Sequence, residues 1–364
     1  MLQTAAREAD STIDCHGTNQ AGIELELQAE TNFIALDILN ETDREAMQRW
    51  MSLLTDDIRA LTSASGVLAD PAPELAKVPA RLTISVGFGP SLFEKLGLQS
   101  KLPPGFGQLP SFTIDKLDAA FSDGDLLIHV AADDPGVVEN ATRTLVRDSM
   151  YFAKTRWIQS GFARAIDLPG DTTQRNLMGQ VDGTDNPKLG SADFAKQVWM
   201  TDSPAWCRGG TQLVLRRIRM KLDTWDSLGR EAKEFAIGRR LSNGAPLSGK
   251  HLNDIPDFEK VDERGLPMIS EVAHIRRASA QNLDERFFRR PFNYVGGVEA
   301  GGQREAGMLW AAYAANLSKQ YLPVQTRLAK VDLLNLWTTP VGSAVFVMAR
   351  GFSESESLGA DLFD

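Results

Sequence analysis

Two observations predict an α+β chain built from two similar halves. Apolar and alternating runs of strand length are interleaved with amphipathic helical runs, in the order β-α-β-β-α-β across 33–166 and again across 211–348. A chain of 364 residues also exceeds what one hydrophobic core usually serves. That order predicts antiparallel sheets with helices packed on one face. No literal repeat accompanies it, so the likeness is one of architecture. The expected divisions are an arm at 1–19, a first unit at 20–188 and a second at 189–364.

The first half opens with Phe33–Leu39, apolar enough for a strand buried on both faces. Met47, Trp50, Met51, Leu54, Ile58 and Leu61 recur at three and four, predicting a helix over 43–63 with Thr42 as its N-cap. Arg81–Phe88 alternates as a strand, Ser91–Leu96 reads as a short helix and Leu126–Ala132 as a third strand. Pro135 opens a helix reaching about Met150, and a fourth strand is expected at 157–166. In the second half, strands are expected at 211–220, 286–295, 308–315 and 342–348, with helices at 222–237 and 322–336.

Composition excludes several classes. With 39 basic and 48 acidic side chains the net charge is −9, and no Lys/Arg stripe offers nucleic acid or anionic lipid a landing surface. No apolar run approaches the ~20 residues of a membrane span. The first residues lack a secretory pattern, so the expectation is a cytoplasmic chain, or one exported through a twin-arginine signal not in this sequence. Cys15 and Cys207 read as free thiols, and two cysteines with four histidines do not suggest a structural zinc site.

The densest run of turn-forming residues is 176–187, where Gly179, Gly183 and Pro187 enclose Asp182, Thr184, Asp185 and Asn186. It reads either as an Asp-Gly hairpin turn or as a loop that fixes one carboxylate, Asp182, in a set direction. A calcium loop fits poorly, because Pro187 and Asp193 stand where glycine and a bidentate Glu are needed. A hundred residues on, His274 is a lone histidine, readable as a packing residue or a metal ligand. Arg289 and Arg290 alternate faces of a strand, so one must point to the apolar side, to meet a carboxylate or to serve a site. An oriented carboxylate, an inward arginine and a metal-binding histidine are the parts for handling a peroxide at a haem iron.

At these residues the chain resembles the dye-decolourising peroxidases. Gly179-Gln180-Val181-Asp182-Gly183-Thr184 matches their GxxDG loop, and His274-Ile275-Arg276 resembles the segment carrying their proximal ligand. Arg286-Phe287-Phe288-Arg289-Arg290 resembles their distal-arginine strand, and Val341–Phe346 their last strand. Gln20-Ala21-Gly22-Ile23 is similar to the opening motif of their A-type, deferrochelatase-like subgroup. The resemblance implies two ferredoxin-like domains around one non-covalent haem b per chain. It implies His274 as axial ligand, Asp182 as acid-base, Arg289 as the distal cation and Gly183, Thr184 and Asp185 against the haem edge. Phe346 would lie over the distal face, and Asp332 would accept the His274 Nδ1 proton, unless it is only a helix-surface charge. Where the family usually has Asn-Pro-Arg, this chain has Ser279-Ala280-Gln281, so the haem contact is either missing here or supplied by Arg276 or Arg277.

The implied activity is reduction of hydrogen peroxide, through a ferryl intermediate, with one-electron oxidation of a dye, phenol or other small donor. An acidic optimum is expected of a carboxylate acid-base. Trp157, Trp199, Trp310, Trp337, Tyr294 and Tyr313 are candidate relays to the surface, though most read more readily as plain core residues. The alternative function is a haem carrier or an iron-releasing deferrochelatase. Self-association and the natural donor are left open.

Overall fold

Eight strands form one closed barrel: β1 (Glu30–Ile38), β2 (Thr83–Phe88), β3 (Leu126–Ala132), β4 (Ala153–Phe162), β5 (Thr211–Met220), β6 (Phe288–Val298), β7 (Arg304–Ala314) and β8 (Thr338–Met348). The helices are α1 (Arg44–Thr62), α2 (Pro90–Lys95), α3 (Pro135–Ser149), α4 (Ala192–Val198), α5 (Leu222–Asp226), α6 (Arg230–Ile237), α7 (His274–Ala278) and α8 (Leu317–Lys330). The structure is a computed structural model that describes residues 11–67, 72–163, 174–298 and 301–364.

Around the barrel the strands run β1-β3-β2-β8-β5-β7-β6-β4. Each half therefore contributes a sheet of the same permutation, β4-β1-β3-β2 and β8-β5-β7-β6, every pairing antiparallel. This is the expected β-α-β-β-α-β arrangement, made twice. The halves meet at two short seams. Gly87 and Phe88 pair with Met348 and Val347, and Phe162 pairs with Asn293. Beside the second seam a Cβ on Gly161 would stand 2.9 Å from the Cβ of Phe292, so only glycine lets the strands approach this closely. Gln20 seals the first seam. Its amide donates to the carbonyls of Val86 and Ala349 and accepts from the Val86 N–H.

Strand alternation divides the core. Phe33, Leu127, Leu213, Phe292, Tyr313 and Phe346 fill the barrel interior. Ile34, Ile84 and Ile128 face outward beneath Trp50 and Leu54 of α1 and Val138 and Leu145 of α3. On the other side Val214, Ala312 and Val345 face outward beneath Leu317 and Tyr321 of α8. β1 is buried along nearly its whole length, which is why its sequence is apolar without alternation.

Local chemistry shifts some boundaries. Asp43, not Thr42, caps α1, its carboxylate accepting the Ala46 N–H at 2.8 Å, while the Thr42 hydroxyl donates to the Phe152 carbonyl. The helix expected at 222–237 breaks at Ser227-Leu228-Gly229 into α5 and α6. The helix expected at 322–336 starts earlier because Asn316 caps it, and it ends at Lys330; a 3₁₀ turn, Leu333–Leu336, follows. β4 begins at Ala153, and its expected extension through 164–166 lies outside the described residues.

Candidate active site

The outer face of β5, β7 and β8 borders a cavity of about 680 Å³. Loop 176–185, segment 252–258, α7 and α8 close it, and Ile114 reaches in from the first half. Parity decides which strand residues line it. Arg216, Ile218 and Met220 of β5 and Met308 and Trp310 of β7 face the cavity, while Leu213, Leu215 and Tyr313 face the barrel. The strand wall is largely apolar.

Loop 176–187 is built by its own side chains. Asn176 Oδ1 accepts the backbone N–H groups of Met178 and Gln180, at 3.0 and 3.1 Å, and Arg175 bridges to Val181. The tight turn is thus closed at 176–180, with Asp182 just beyond it. Gly179 and Gly183 sit at φ +82° and +79°, conformations that favour glycine. The Trp225 indole donates to the Met178 carbonyl at 3.0 Å and holds the loop to α5. Asp182 Oδ1 accepts the Gly183 N–H at 2.7 Å and lies 3.9 Å from Arg289 Nη1. Gly183, Thr184 and Asp185 line the cavity beside it.

His274 opens α7 and lies in the cavity wall. Its Nδ1 is 2.7 Å from Asp332 Oδ2. The other carboxylate oxygen of Asp332 accepts the Leu334 N–H at 2.9 Å and starts the 3₁₀ turn. Asp332 is therefore buried and doubly engaged, not a surface charge on a helix. Burial works against an imidazolium at His274, but the charge and hydrogen bond of Asp332 outweigh it and raise the pKa. Arg289 and Asp182 also act on His274, in opposite senses, so the groups share one electrostatic field.

The paired arginines divide as alternation requires. Arg290 points inward, 2% exposed, and donates to the Leu25 carbonyl and the Gln28 side-chain oxygen. It thus meets neutral acceptors instead of a carboxylate. Arg289 faces the cavity, and Asn186 fixes it. Asn186 Oδ1 accepts from Arg289 N and Nε at 3.0 and 3.3 Å, while Asn186 Nδ2 donates to the Arg289 carbonyl at 2.8 Å.

Two expected site residues lie elsewhere. Phe346 is fully buried in the barrel interior, on the face of β8 opposite the cavity. Its parity follows from pairing with Leu213, another interior residue. Arg276 is held beside the cavity and not in its lining. It donates to the Phe258 carbonyl and sits 3.5 Å from Glu259, and neither Arg276 nor Arg277 lines the cavity. Ser279-Ala280-Gln281 does reach the wall, braced by Arg327, which donates to the Ser279 carbonyl and pairs with Glu285 at 2.8 Å. Arg239 is the cation that sequence reasoning missed. It follows α6 in the cavity wall and donates to the carbonyls of Gly244 and Leu252. Burial lowers its pKa, Asp185 raises it and Arg289 lowers it. Arg216 is bound to Asp115, and Arg286 to Asp193, whereas these contacts of Arg239 are to neutral oxygens.

Comparison with known proteins gives the family. The profile described as Dyp-type peroxidase, N-terminal, matches residues 20–163, and that described as Dyp-type peroxidase, C-terminal, matches 173–352. The chain belongs to the Dyp-type peroxidase family. It is 35% identical to the dye-decolorizing peroxidase of Thermobifida fusca, over all of this chain and 87% of the relative. It is 31% identical to the deferrochelatase of Escherichia coli strain K12, over 93% of this chain and 84% of the relative. Among solved structures, the DyP-type peroxidase of Cellulomonas bogoriensis superposes with a TM-score of 0.95 at 43% identity, covering 98% of this chain and 99% of that one. Ferric DtpA of Streptomyces lividans gives 0.94 at 36% identity, covering 98% of each chain. As a Dyp-type peroxidase the protein is an oxidoreductase that uses peroxide. No helix among its described residues is long and apolar enough to cross a membrane.

Proposed function

We propose that this Dyp-type peroxidase holds one non-covalent haem b in the cavity beside β5, β7 and β8, reduces hydrogen peroxide there and oxidises a small-molecule or dye donor. The observation that carries this reading is that His274, with Asp332 on its Nδ1, shares one cavity with the Asp182–Arg289 pair. The donor set fits the cofactor. Asp332 occupies Nδ1 and leaves Nε2 as the ring's ligand atom for iron. Met178, Ile218, Met220 and Met308 offer apolar surface to a macrocycle, and Arg239 offers a cation to a propionate.

The haem iron supplies the binding of peroxide and the electrons that break its O–O bond. The residues of the chain do the rest. Asp182 Oδ1 is engaged by the Gly183 amide, so Oδ2 is the atom that takes a proton from one peroxide oxygen and returns it to the other. Arg289, held by Asn186, places positive charge where negative charge develops on the departing oxygen. Asp332 draws on the Nδ1 proton and makes the imidazole a stronger donor.

Stopped-flow absorbance of the haem-loaded protein mixed with peroxide tests this. Asp182→Ala and Arg289→Ala should each retain haem and slow the peroxide step by about 10²- to 10³-fold. Wild-type rates in both variants would overturn the assignment. Release of iron in place of donor oxidation would support the deferrochelatase alternative.

A further inference from the structure

A second group of reactive side chains lies inside the barrel, across β7 from the cavity. Tyr313 and His129 are both buried there, with the Tyr313 hydroxyl 3.5 Å from His129 Nδ1. Their hydrogen bonds define the tautomer. Thr31 donates its hydroxyl proton to the Val130 carbonyl at 2.9 Å, so the same oxygen must accept from His129 Nε2, also at 2.9 Å. The ring proton is therefore on Nε2, and the Nδ1 lone pair faces the phenol. Phe33 stacks on the imidazole at 4.2 Å, interplanar angle 3°, and fixes its plane.

We propose that Tyr313 and His129 form an internal one-electron oxidation site of this peroxidase, the imidazole accepting the phenolic proton as Tyr313 gives up an electron. The proposal rests on the haem-peroxidase reading, since peroxide reduction in the cavity supplies the oxidant. Tyr313 loses one electron to the oxidised cofactor, its O–H bond breaks and an N–H bond forms at Nδ1. The products are a neutral tyrosyl radical and an imidazolium, and the cofactor is reduced by one equivalent. When an outside donor returns the electron, the proton moves back.

Position and surroundings single out this tyrosine. Its strand neighbour Ala312 pairs with Arg289, and Trp310, three residues earlier, lines the cavity. Burial, with the charge of Arg290, lowers the pKa of His129 to about 3, so the lone pair is present at working pH. The same surroundings disfavour a lasting imidazolium and drive the proton's return. Each remaining tyrosine lacks one part. The Tyr321 hydroxyl is buried with no hydrogen-bond partner among the described residues. Tyr151 is 82% exposed. Tyr294 donates to the Glu305 carboxylate, which already pairs with Arg217, and not to an imidazole.

Rapid freeze-quench electron paramagnetic resonance of the haem-loaded protein mixed with hydrogen peroxide tests this, with ring-deuterated tyrosine marking any tyrosyl signal. The expected result is a tyrosyl signal that is lost in Tyr313→Phe, kept in Tyr294→Phe and slower to form in deuterated water. Tyr313→Phe keeps the ring in the core, and an unchanged absorbance response to peroxide shows that its haem site is intact. A signal that persists in Tyr313→Phe overturns the proposal. So does the absence of any tyrosyl signal in a wild-type protein whose haem spectrum responds to peroxide. If the spectrum does not respond at all, the peroxidase reading fails and takes this proposal with it.

Discussion

Asn186 and Arg289 are joined by three hydrogen bonds, two to the Asn186 side-chain oxygen and one from its nitrogen. The amide thus grips the backbone of β6 and the guanidinium stem together, and ties loop 176–187 to the strand it faces. Asn186→Ala should leave Arg289 present but loosely aimed. Loss of one bond to a charged group, worth about 1.5 kcal/mol, corresponds to roughly a tenfold slower peroxide step. Stopped-flow kinetics should show that loss with haem affinity little changed.

Asp332→Asn separates two duties of one carboxylate. An asparagine keeps an oxygen for the Leu334 N–H, so the 3₁₀ turn should survive. It loses the negative charge beside His274 Nδ1. Haem affinity or peroxidase activity should fall by about 10- to 100-fold. Competition for haem with a globin, together with steady-state rates, measures both.

Phe346→Ala tests the barrel assignment. Truncating a buried phenylalanine costs about 3–5 kcal/mol. Because Phe346 fills the interior, chemical denaturation should show this loss while the haem-loaded absorption spectrum stays that of wild type. An altered spectrum would return Phe346 to the cofactor's surroundings.

Asp57 should make stability fall as pH rises. It is buried on α1 with Oδ2 unpartnered among the described residues. Burial, and then Asp148, push its pKa up from 3.8 to about 7. The folded state therefore holds this proton more tightly than the unfolded chain. Its contribution is present below the unfolded value and is lost as pH rises through about 7. Asp57→Asn should raise the unfolding temperature at pH 8 and change it little at pH 4, as differential scanning calorimetry would record.

The sequence carried the architecture because periodicity is local. The limits of β3 and β5 were readable to the residue, and the Asp182, His274 and Arg289 candidates fall in one cavity wall. What escaped was partnership across long separations. Asn186 looked like one turn residue among several, and nothing near it in sequence points to a strand 103 residues away. Phe346 was misplaced because β8 is buried on both faces along most of its length, so the alternation that would reveal its side is missing. Arg276 sits on a five-residue helix, too short for a periodic pattern to orient it. Arg239 lay next to an irregular stretch whose fold depends on carbonyls contributed from Gly244 and Leu252.

The two short seams imply an uneven resistance to solvent. β1, β3, β5 and β7 are flanked by long ladders within their own sheets, so their amides should exchange hydrogen only when the whole molecule unfolds. At the β2–β8 seam, two residue pairs and the Gln20 amide hold the edges together. There the barrel can part locally without melting either sheet. Gln20→Ala should speed deuterium uptake at Val86 and its neighbours while leaving the central strands as slow as before. Gln20 is in that sense a latch on the barrel.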